Sequence, residues 1–181
     1  MSAGRTTAQA TSELLAVRVP TTPDGIAMWQ LAKDSGTLEL NSAYAYVLWC
    51  DRFAASSALA EEDQRPAGFV MGFRPPTRPD TLFVWQVAVD EAFRGRGLAR
   101  RMIESILERD PGLRYLEATV APSNAASQRL FRSLARKAEC QCRETPYFTP
   151  EHFPAGDHEP ETLFRIGPLS GQSMRSHEET D

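Results

Sequence analysis

The strongest pattern in the chain is a dense apolar run from Leu82 to Val89, which only Gln86 interrupts. A run of this kind predicts a strand that is buried on both faces of a sheet. Asp90 and Glu91 end the strand, and a turn with two glycines follows it. Apolar residues then recur at the spacing of one helix face, which predicts a helix that begins near Leu98: Leu98, Met102, Ile103, Ile106 and Leu107.

The rest of the chain alternates between strand-like and helix-like patterns. Further strands are predicted at residues 14–19, 56–60, 67–73, 115–120, 139–143 and 163–166. Further helices are predicted at residues 26–31, 42–49 and 123–134. The predicted order is strand, two helices, three strands, helix, strand, helix and two strands, which is typical of an α/β fold. Residues 144–160 are rich in Pro, Phe, His and acidic residues and predict an irregular excursion or lid.

Length and composition predict one domain that acts on small molecules. The 181 residues suit a single core over residues 13–168, with a disordered lead at 1–12 and a disordered tail at 169–181. A net charge of -4 argues against a nucleic-acid partner. No apolar run reaches membrane-spanning length and the N-terminus lacks a signal core, so we expect a cytoplasmic protein. The cysteines Cys50, Cys140 and Cys142 predict neither a disulfide framework nor a metal site.

The turn from Arg94 to Ala99 has the features of an anion site. A strand, two glycines and a helix N-terminus follow each other, so free amides and the positive end of the helix dipole meet there. Arg94, Arg96, Arg100 and Arg101 add positive charge, which predicts a bound diphosphate. The chain contains no GxxxxGK[ST] motif and the turn lacks the three-glycine dinucleotide spacing, so neither of those loops is present.

Arg94, Gly97 and Ala99 form the motif Arg-x-x-Gly-x-Ala directly after a strand. This motif resembles the acyl-CoA loop of the GNAT N-acetyltransferases. The resemblance implies the GNAT fold: a mixed sheet flanked by helices, whose central parallel strand pair splays apart to admit acetyl-CoA. It also implies that the amides of Gly95, Arg96, Gly97, Leu98 and Ala99 bind the pyrophosphate, and that Val87, Val89 and Asn124 lie along the pantetheine arm.

Longer phrases narrow the resemblance. NSAYAY, FVMGFRPPTRPDTLF, FVWQVAVD, FRGRGLARRM and LEATVAPSNAAS are similar to phrases of the L-2,4-diaminobutyrate acetyltransferases of ectoine biosynthesis, over roughly Val17 to Ile166. That family implies acetyl transfer from acetyl-CoA to the 4-amino group of the diamino acid, by direct attack in a ternary complex. It implies a homodimer, no metal and no membrane partner. The residues alone leave open another small amine as acceptor, or an acyl-CoA-binding module without turnover.

The acceptor amine needs a residue that takes its proton, because an alkylamine has a pKa near ~10 and is mostly cationic at neutral pH. The candidate catalytic residues are Glu39, Glu159 and Trp85, the last as a wall for the substrate. Glu161 and His158 lie beside Glu159 in the sequence and are further candidates. Four residues are predicted to bind the substrate: Asn41, Tyr44, Arg74 and Thr119. Arg74 is the cation that we expect to face the carboxylate of the substrate.

One position departs from the GNAT pattern. Many GNAT enzymes carry a tyrosine seven residues after the asparagine that corresponds to Asn124, and this tyrosine protonates the leaving thiolate. The chain has Phe131 there, which carries no proton to donate. The CoA thiolate is therefore expected either to take its proton from water or another group, or to leave as the anion. Tyr44 is one possible replacement for the missing tyrosine.

Overall fold

The computed structural model describes residues 15–154 and 158–170, which form a seven-stranded sheet with helices on both faces. The strands are β1 (Ala16–Arg18), β2 (Ala58–Glu62), β3 (Arg65–Phe73), β4 (Thr81–Val89), β5 (Tyr115–Val120), β6 (Cys142–Phe148) and β7 (Glu161–Ile166). The helices are α1 (Asp24–Ser35), α2 (Ala43–Arg52), α3 (Leu98–Arg109) and α4 (Ala125–Lys137). The predicted order of elements and the predicted mixed sheet are confirmed.

The core is divided into two layers by the sheet. Alternate residues of a strand point to opposite faces, and in β3 Val70 packs with α3 and α4 while Phe69 and Met71 pack with α1 and α2. The amphipathic pattern that predicted α3 is confirmed, because Leu98, Met102, Ile103, Ile106 and Leu107 are all buried. The two helix pairs therefore hold the sheet from opposite sides.

The centre of the sheet opens along its length. The strand order is β1-β2-β3-β4-β5-β7-β6, and β4 and β5 are the parallel neighbours. They pair only from Thr81 opposite Tyr115 to Phe83 opposite Glu117, whereas β4 stays paired with β3 as far as Val89. Beyond Phe83 the two parallel strands have separated, which leaves one edge of β4 without a strand partner.

A bulge lies where the strands part. Met71 of β3 is opposite Gln86 and Gly72 is opposite Val84, so Trp85 is an extra residue in β4. The side chains of Trp85 and Gln86 both contact α2 as a result: Trp85 stacks on Trp49 and Gln86 bonds Tyr46. The prediction of a strand buried on both faces is therefore wrong at Trp85, which is 39% exposed.

The C-terminal part is more regular than the pattern predicted. The edge strand β6 runs from Cys142 to Phe148, so the start of the predicted excursion belongs to the sheet. Leu169, which was assigned to the tail, is buried and donates a backbone hydrogen bond to the Arg114 carbonyl. The predicted disordered segments, 1–12 and most of 169–181, lie outside the described residues. Among the described helices, none has the length and apolarity that a membrane span requires.

Candidate active site

The separation of β4 and β5 creates a cleft of about 1070 Å³. Its walls come from both strands, the segment before α2, the start of α4 and the segment between β6 and β7. Most of the predicted site residues line it: Glu39, Asn41, Trp85, Val87, Val89, Arg94, Ala99, Thr119, Asn124 and Glu159. The structure thus brings together residues that are far apart in the chain.

The glycine turn closes one end of the cleft and presents unpaired amides. Gly95 and Gly97 have φ of 77° and 72°, a backbone conformation that side chains rarely adopt. The first hydrogen bond of α3 goes from the Arg101 amide to the Gly97 carbonyl. The amides from Gly95 to Arg100 therefore precede the helical ladder, and none has a hydrogen-bond partner among residues 15–154 and 158–170. A Cβ on Gly95 would meet nothing within 4 Å, so the space above the turn is open.

The arginines of the turn differ in where they point. Arg94 lines the cleft and donates to the Val89 carbonyl at 3.2 Å. Arg96 instead packs over the Phe93 ring at 5.3 Å and approaches Glu62. Arg100 lies beside Gly97 and 3.7 Å from Glu104. Of these three arginines, Arg94 is therefore the one whose side chain lines the cleft.

Asn124 performs the structural role expected of a helix cap. Its side-chain oxygen accepts from the Ser127 amide at 3.0 Å at the start of α4. The residue also lines the cleft, so capping and ligand contact are compatible. Phe131, about two helical turns further on, is buried against Phe164 and forms part of the same wall.

Aromatic side chains enclose the other end of the cleft. Trp85 stacks on Trp49 with ring centroids 4.5 Å apart, and Phe73 packs on Phe83 at 5.2 Å. On the opposite side, the ring of Phe153 stacks on His158 at 3.9 Å with an interplanar angle of 9°. These aromatic side chains give this part of the cleft largely apolar walls.

Two carboxylates line the cleft near the start of β7: Glu159 just before the strand and Glu161 as its first residue. Glu159 is held by Ser123, whose hydroxyl and amide donate to it at 2.6 and 3.2 Å. Glu161 is different, because its Oε2 atom is buried with no hydrogen-bond partner among the described residues. Burial raises the pKa of Glu161, while the nearby His158 and the Thr119 hydroxyl lower it. Glu161 is therefore the carboxylate with a free proton-accepting atom.

The segment between α1 and α2 brings Glu39 and Asn41 to the cleft. The Glu39 carbonyl accepts from the side-chain amide of Gln86 at 2.8 Å, which fixes the backbone at this point. Ser42 occupies the cap position at the start of α2 without a side-chain cap bond, and Asn41 does not cap the helix. Asn41 instead approaches the buried Tyr46 hydroxyl.

Two predicted substrate residues lie elsewhere. Tyr44 is 71% exposed and does not line the cleft, because α2 buries the face with Tyr46 and Cys50 instead. Arg74 bonds Asp110 and the Pro79 carbonyl, at the end of the sheet where β4 and β5 are still paired. Its guanidinium is thus engaged away from the compartment that contains Trp85 and Glu161.

Some residues of the site were not predicted. Phe148 and Phe153 line the cleft, although their segment showed only an irregular aromatic composition. Gln86 was visible as the single polar residue in an apolar strand, and that interruption was the signal. The described residues contain no group of three or more His, Cys, Asp or Glu side chains arranged to hold a metal ion.

The fold and the cleft define the class of protein. A splayed parallel strand pair, with an amide-rich glycine turn at one end of the opening, is the arrangement that the GNAT acyl-CoA motif implied. The model of the acetyltransferase (GNAT) family matches residues 26–135. The chain belongs to this family, and strongly similar relatives lie within one branch of it.

That branch consists of the L-2,4-diaminobutyric acid acetyltransferases. The enzyme of that name from Oceanobacillus iheyensis is 50% identical over 156 residues, which cover 84% of this chain and 87% of the relative. The one from Streptomyces coelicolor is 48% identical over 155 residues, 83% and 91% of the two chains. A solved structure of diaminobutyrate acetyltransferase EctA from Paenibacillus lautus, in complex with L-2,4-diaminobutyric acid and coenzyme A, is 41% identical with a TM-score of 0.83 and covers 87% of this chain and 96% of that one.

Proposed function

We propose that the protein transfers the acetyl group of acetyl-CoA to the 4-amino group of L-2,4-diaminobutyrate, giving N4-acetyl-L-2,4-diaminobutyrate for ectoine biosynthesis. The observation that carries the proposal is the continuity of the cleft. Arg94 and Ala99 of the glycine turn line the same cleft as Trp85, Glu39 and Glu161. The similarity to diaminobutyrate acetyltransferases over more than four fifths of the chain supports the choice of acceptor.

The residues of the turn suit a diphosphate. We assign the diphosphate to the unpaired amides of Gly95, Arg96, Gly97, Leu98 and Ala99, with Arg94 adding charge. Of this turn, Arg94 and Ala99 line the cleft. An anion there is stabilised by amide donors and by the helix dipole. The Leu98 side chain is buried in the core, so only its amide takes part.

The unpaired edge of β4 suits the pantetheine arm and the thioester. Val87 and Val89 line the cleft beyond the point where β5 has separated. Backbone groups on this edge have no strand partner, so they can bond an extended ligand. Bound acetyl-CoA supplies the activated acetyl group, and the Val87 amide is placed to stabilise negative charge that develops on its carbonyl oxygen.

The acidic compartment suits an amine. Glu39 attracts the ammonium form of the acceptor, and Glu161 removes its proton so that the neutral amine can attack. Trp85 and Thr119 border the path between them. Glu159, which Ser123 already holds, orders the turn before α4 rather than taking the proton. Attack is direct, since Cys50 is buried within α2 and neither it nor Cys140 nor Cys142 lines the cleft, so none of them is a candidate for an acyl intermediate.

The leaving thiolate has no tyrosine to protonate it. Phe131 occupies the expected position and is buried in the cleft wall. Tyr44 is outside the cleft, so it does not replace the missing hydroxyl. We therefore assign the proton to solvent that enters from the open cofactor end.

The proposed cellular setting is a cytoplasmic homodimer. The described cysteines are all free, which suits a reducing compartment. Tyr147 and Phe148 on the edge strand β6 are 44% and 39% exposed and offer an apolar surface for a second copy. Light scattering of the purified protein tests this assembly. Two chains per particle would support the homodimer, and one chain per particle would contradict it.

The function is tested by CoA release with a panel of amines. L-2,4-diaminobutyrate is expected to give the highest kcat/KM, above its longer homologues ornithine and lysine and above polyamines. A polyamine or aminoglycoside as the best acceptor would contradict the assigned substrate. Tight acetyl-CoA binding without turnover of any amine would contradict the assignment as an enzyme.

The position of Arg74 gives a further prediction. Arg74→Gln is expected to leave the KM for both substrates within about twofold of wild type, because the guanidinium pairs with Asp110 outside the compartment. Stability should change by no more than about 1 kcal/mol, since the pair is partly exposed. Steady-state kinetics and thermal unfolding check both statements. A large rise in the KM for the diamino acid alone would restore Arg74 to the acceptor site.

A further inference from the structure

Two buried polar side chains lie beneath the acceptor end of the cleft. Tyr46 of α2 is 0% exposed and Gln86 of β4 is 6% exposed. Tyr46 belongs to an apolar cluster, whereas Gln86 borders the cleft. The other buried members of the cluster are Met28, Ala32, Cys50, Leu59, Phe69, Met71 and Ala88. A hydroxyl and an amide in such a place lower stability unless they are hydrogen-bonded, so the partners of this pair identify what it does.

The partners form a chain that ends at the cleft. The Tyr46 hydroxyl donates to Oε1 of Gln86 at 2.9 Å, and Nε2 of Gln86 donates to the Glu39 carbonyl at 2.8 Å. Asn41 approaches the same hydroxyl through its backbone and its side chain. Both ends of the pair thus contact the short segment between α1 and α2.

That segment has few other constraints. It lies between the end of α1 at Ser35 and the start of α2 at Ala43, and it has no helix or strand of its own. Leu38 packs against the apolar cluster, and Glu39 and Asn41 line the cleft. The hydrogen bond from Gln86 is the only one that the Glu39 backbone makes among the described residues.

We infer that Tyr46 and Gln86 are positioning residues that set acceptor specificity, because they fix the backbone of Glu39 and so place its carboxylate in the cleft. The bulge at Trp85 is what allows this arrangement. It turns Gln86 towards α2 beside Trp85, so the aromatic wall and the anchor of Glu39 come from consecutive residues. The inference rests on the proposed function and deepens it.

The physical consequence is a fixed length for the acceptor. A carboxylate at a fixed position holds one end of the acceptor, so only an acceptor of the right length places its amine at the thioester. A mobile carboxylate can shift and accept longer chains. Loss of the anchor is therefore expected to weaken binding of diaminobutyrate and to reduce its advantage over ornithine. Acetyl-CoA binds at the other end of the cleft and should be unaffected.

The test uses Gln86→Met, which keeps an unbranched side chain of similar length but removes both hydrogen bonds. The KM for diaminobutyrate is expected to rise about tenfold, as for loss of one buried hydrogen bond. The ratio of kcat/KM for diaminobutyrate over ornithine should fall by a similar factor, and the KM for acetyl-CoA should stay within about twofold. Tyr46→Phe should have a smaller effect, because Gln86 can still bond Glu39. The double variant should be no worse than Gln86→Met.

Met28→Ala is the matched control. Met28 lies in the same apolar cluster and contacts Cys50, but it does not line the cleft. It should lower thermal stability without changing the ratio between acceptors. The inference is overturned if Gln86→Met leaves the KM and the ratio at their wild-type values, or if Met28→Ala changes them equally.

A second readout separates this inference from the proposed function. Hydrogen–deuterium exchange of residues 37–41 should be faster in Gln86→Met than in wild type, and unchanged in Met28→Ala, in the absence of any substrate. Unchanged exchange in Gln86→Met would refute the anchor itself. If exchange is faster in Gln86→Met but the wild-type protein acetylates no amine, the proposed function is refuted and the anchor still stands.

Discussion

Gly97→Glu is expected to abolish binding of acetyl-CoA, with a Kd at least about 100-fold above wild type, or about 2.8 kcal/mol. Gly97 has φ of 72°, which a residue with a side chain adopts only with strain. The new carboxylate would also stand at the start of α3, among the amides that are expected to hold the diphosphate. The variant therefore removes both the backbone geometry and the favourable charge of the site.

Two alanine variants separate strain from charge. Gly97→Ala introduces the strain alone and should weaken binding by a smaller factor than glutamate does. Gly36→Ala introduces a Cβ at φ of 62° at the end of α1, where it meets nothing within 4 Å, and should leave the affinity unchanged. Isothermal titration with CoA gives all three values. Full affinity in Gly97→Glu would exclude the glycine turn as the cofactor site.

Glu161→Gln is expected to lower kcat by roughly 10²–10⁴-fold, the usual contribution of a positioned base. Glutamine fills the same space and keeps contact with the Thr119 hydroxyl, but it cannot accept a proton from the amine. The KM for acetyl-CoA should not change, because Glu161 is expected to act on the acceptor amine and not to contact the cofactor.

The raised pKa of Glu161 gives this variant two further signatures. A base acts when deprotonated, so the rate of the wild type should rise with pH through a pKa above the ordinary carboxyl range, and this limb should be lost in the variant. The folded state binds the proton more tightly than the unfolded state does, so Glu161 lowers stability as pH rises from the unfolded pKa through the folded one. Glu161→Gln should therefore unfold at a higher temperature at neutral pH while being less active.

Kinetics across pH and thermal unfolding test both signatures. Glu159→Gln is the informative comparison, because the same chemical change is made two residues away. It should release Ser123 and lower stability, with a smaller loss of kcat than Glu161→Gln. A larger loss in Glu159→Gln would transfer the role of base to Glu159.

The cofactor end of the site could be predicted from sequence because its chemistry is local. The strand, the two glycines and the start of α3 are consecutive, so the pattern of residues 82–107 specifies the turn and its amides without any distant contact. The splay of β4 and β5 was an expectation from the family resemblance, and the register from Thr81 to Phe83 confirms it.

The acceptor end could not be predicted to the same extent because it is assembled from distant segments. Tyr44 and Tyr46 are two residues apart on α2, and only the packing of the helix decides that Tyr46 is buried. Arg74 was predicted to bind the carboxylate of the substrate, but the turn after α3 places Asp110 beside it, and the two form an ion pair. The bulge at Trp85 depends on the register with β3, which an apolar run cannot reveal.

The different environments of Glu159 and Glu161 also depend on contacts between distant segments. Glu159 and Glu161 look alike in an acidic segment, and nothing in their order distinguishes a held carboxylate from a free one. The distinction arises because Ser123, in the turn between β5 and α4, bonds Glu159, while Oε2 of Glu161 at the start of β7 is buried without a partner among the described residues. Ser123 and Glu159 are 36 residues apart in the chain.

The most direct test of the account is the identity of the product formed from acetyl-CoA and L-2,4-diaminobutyrate. We expect release of one CoA for each acetyl group transferred and a single product that NMR assigns as acetylated on N4. Acetylation on the 2-amino group, or no acetylated diamino acid while another amine is consumed, would contradict the central claim.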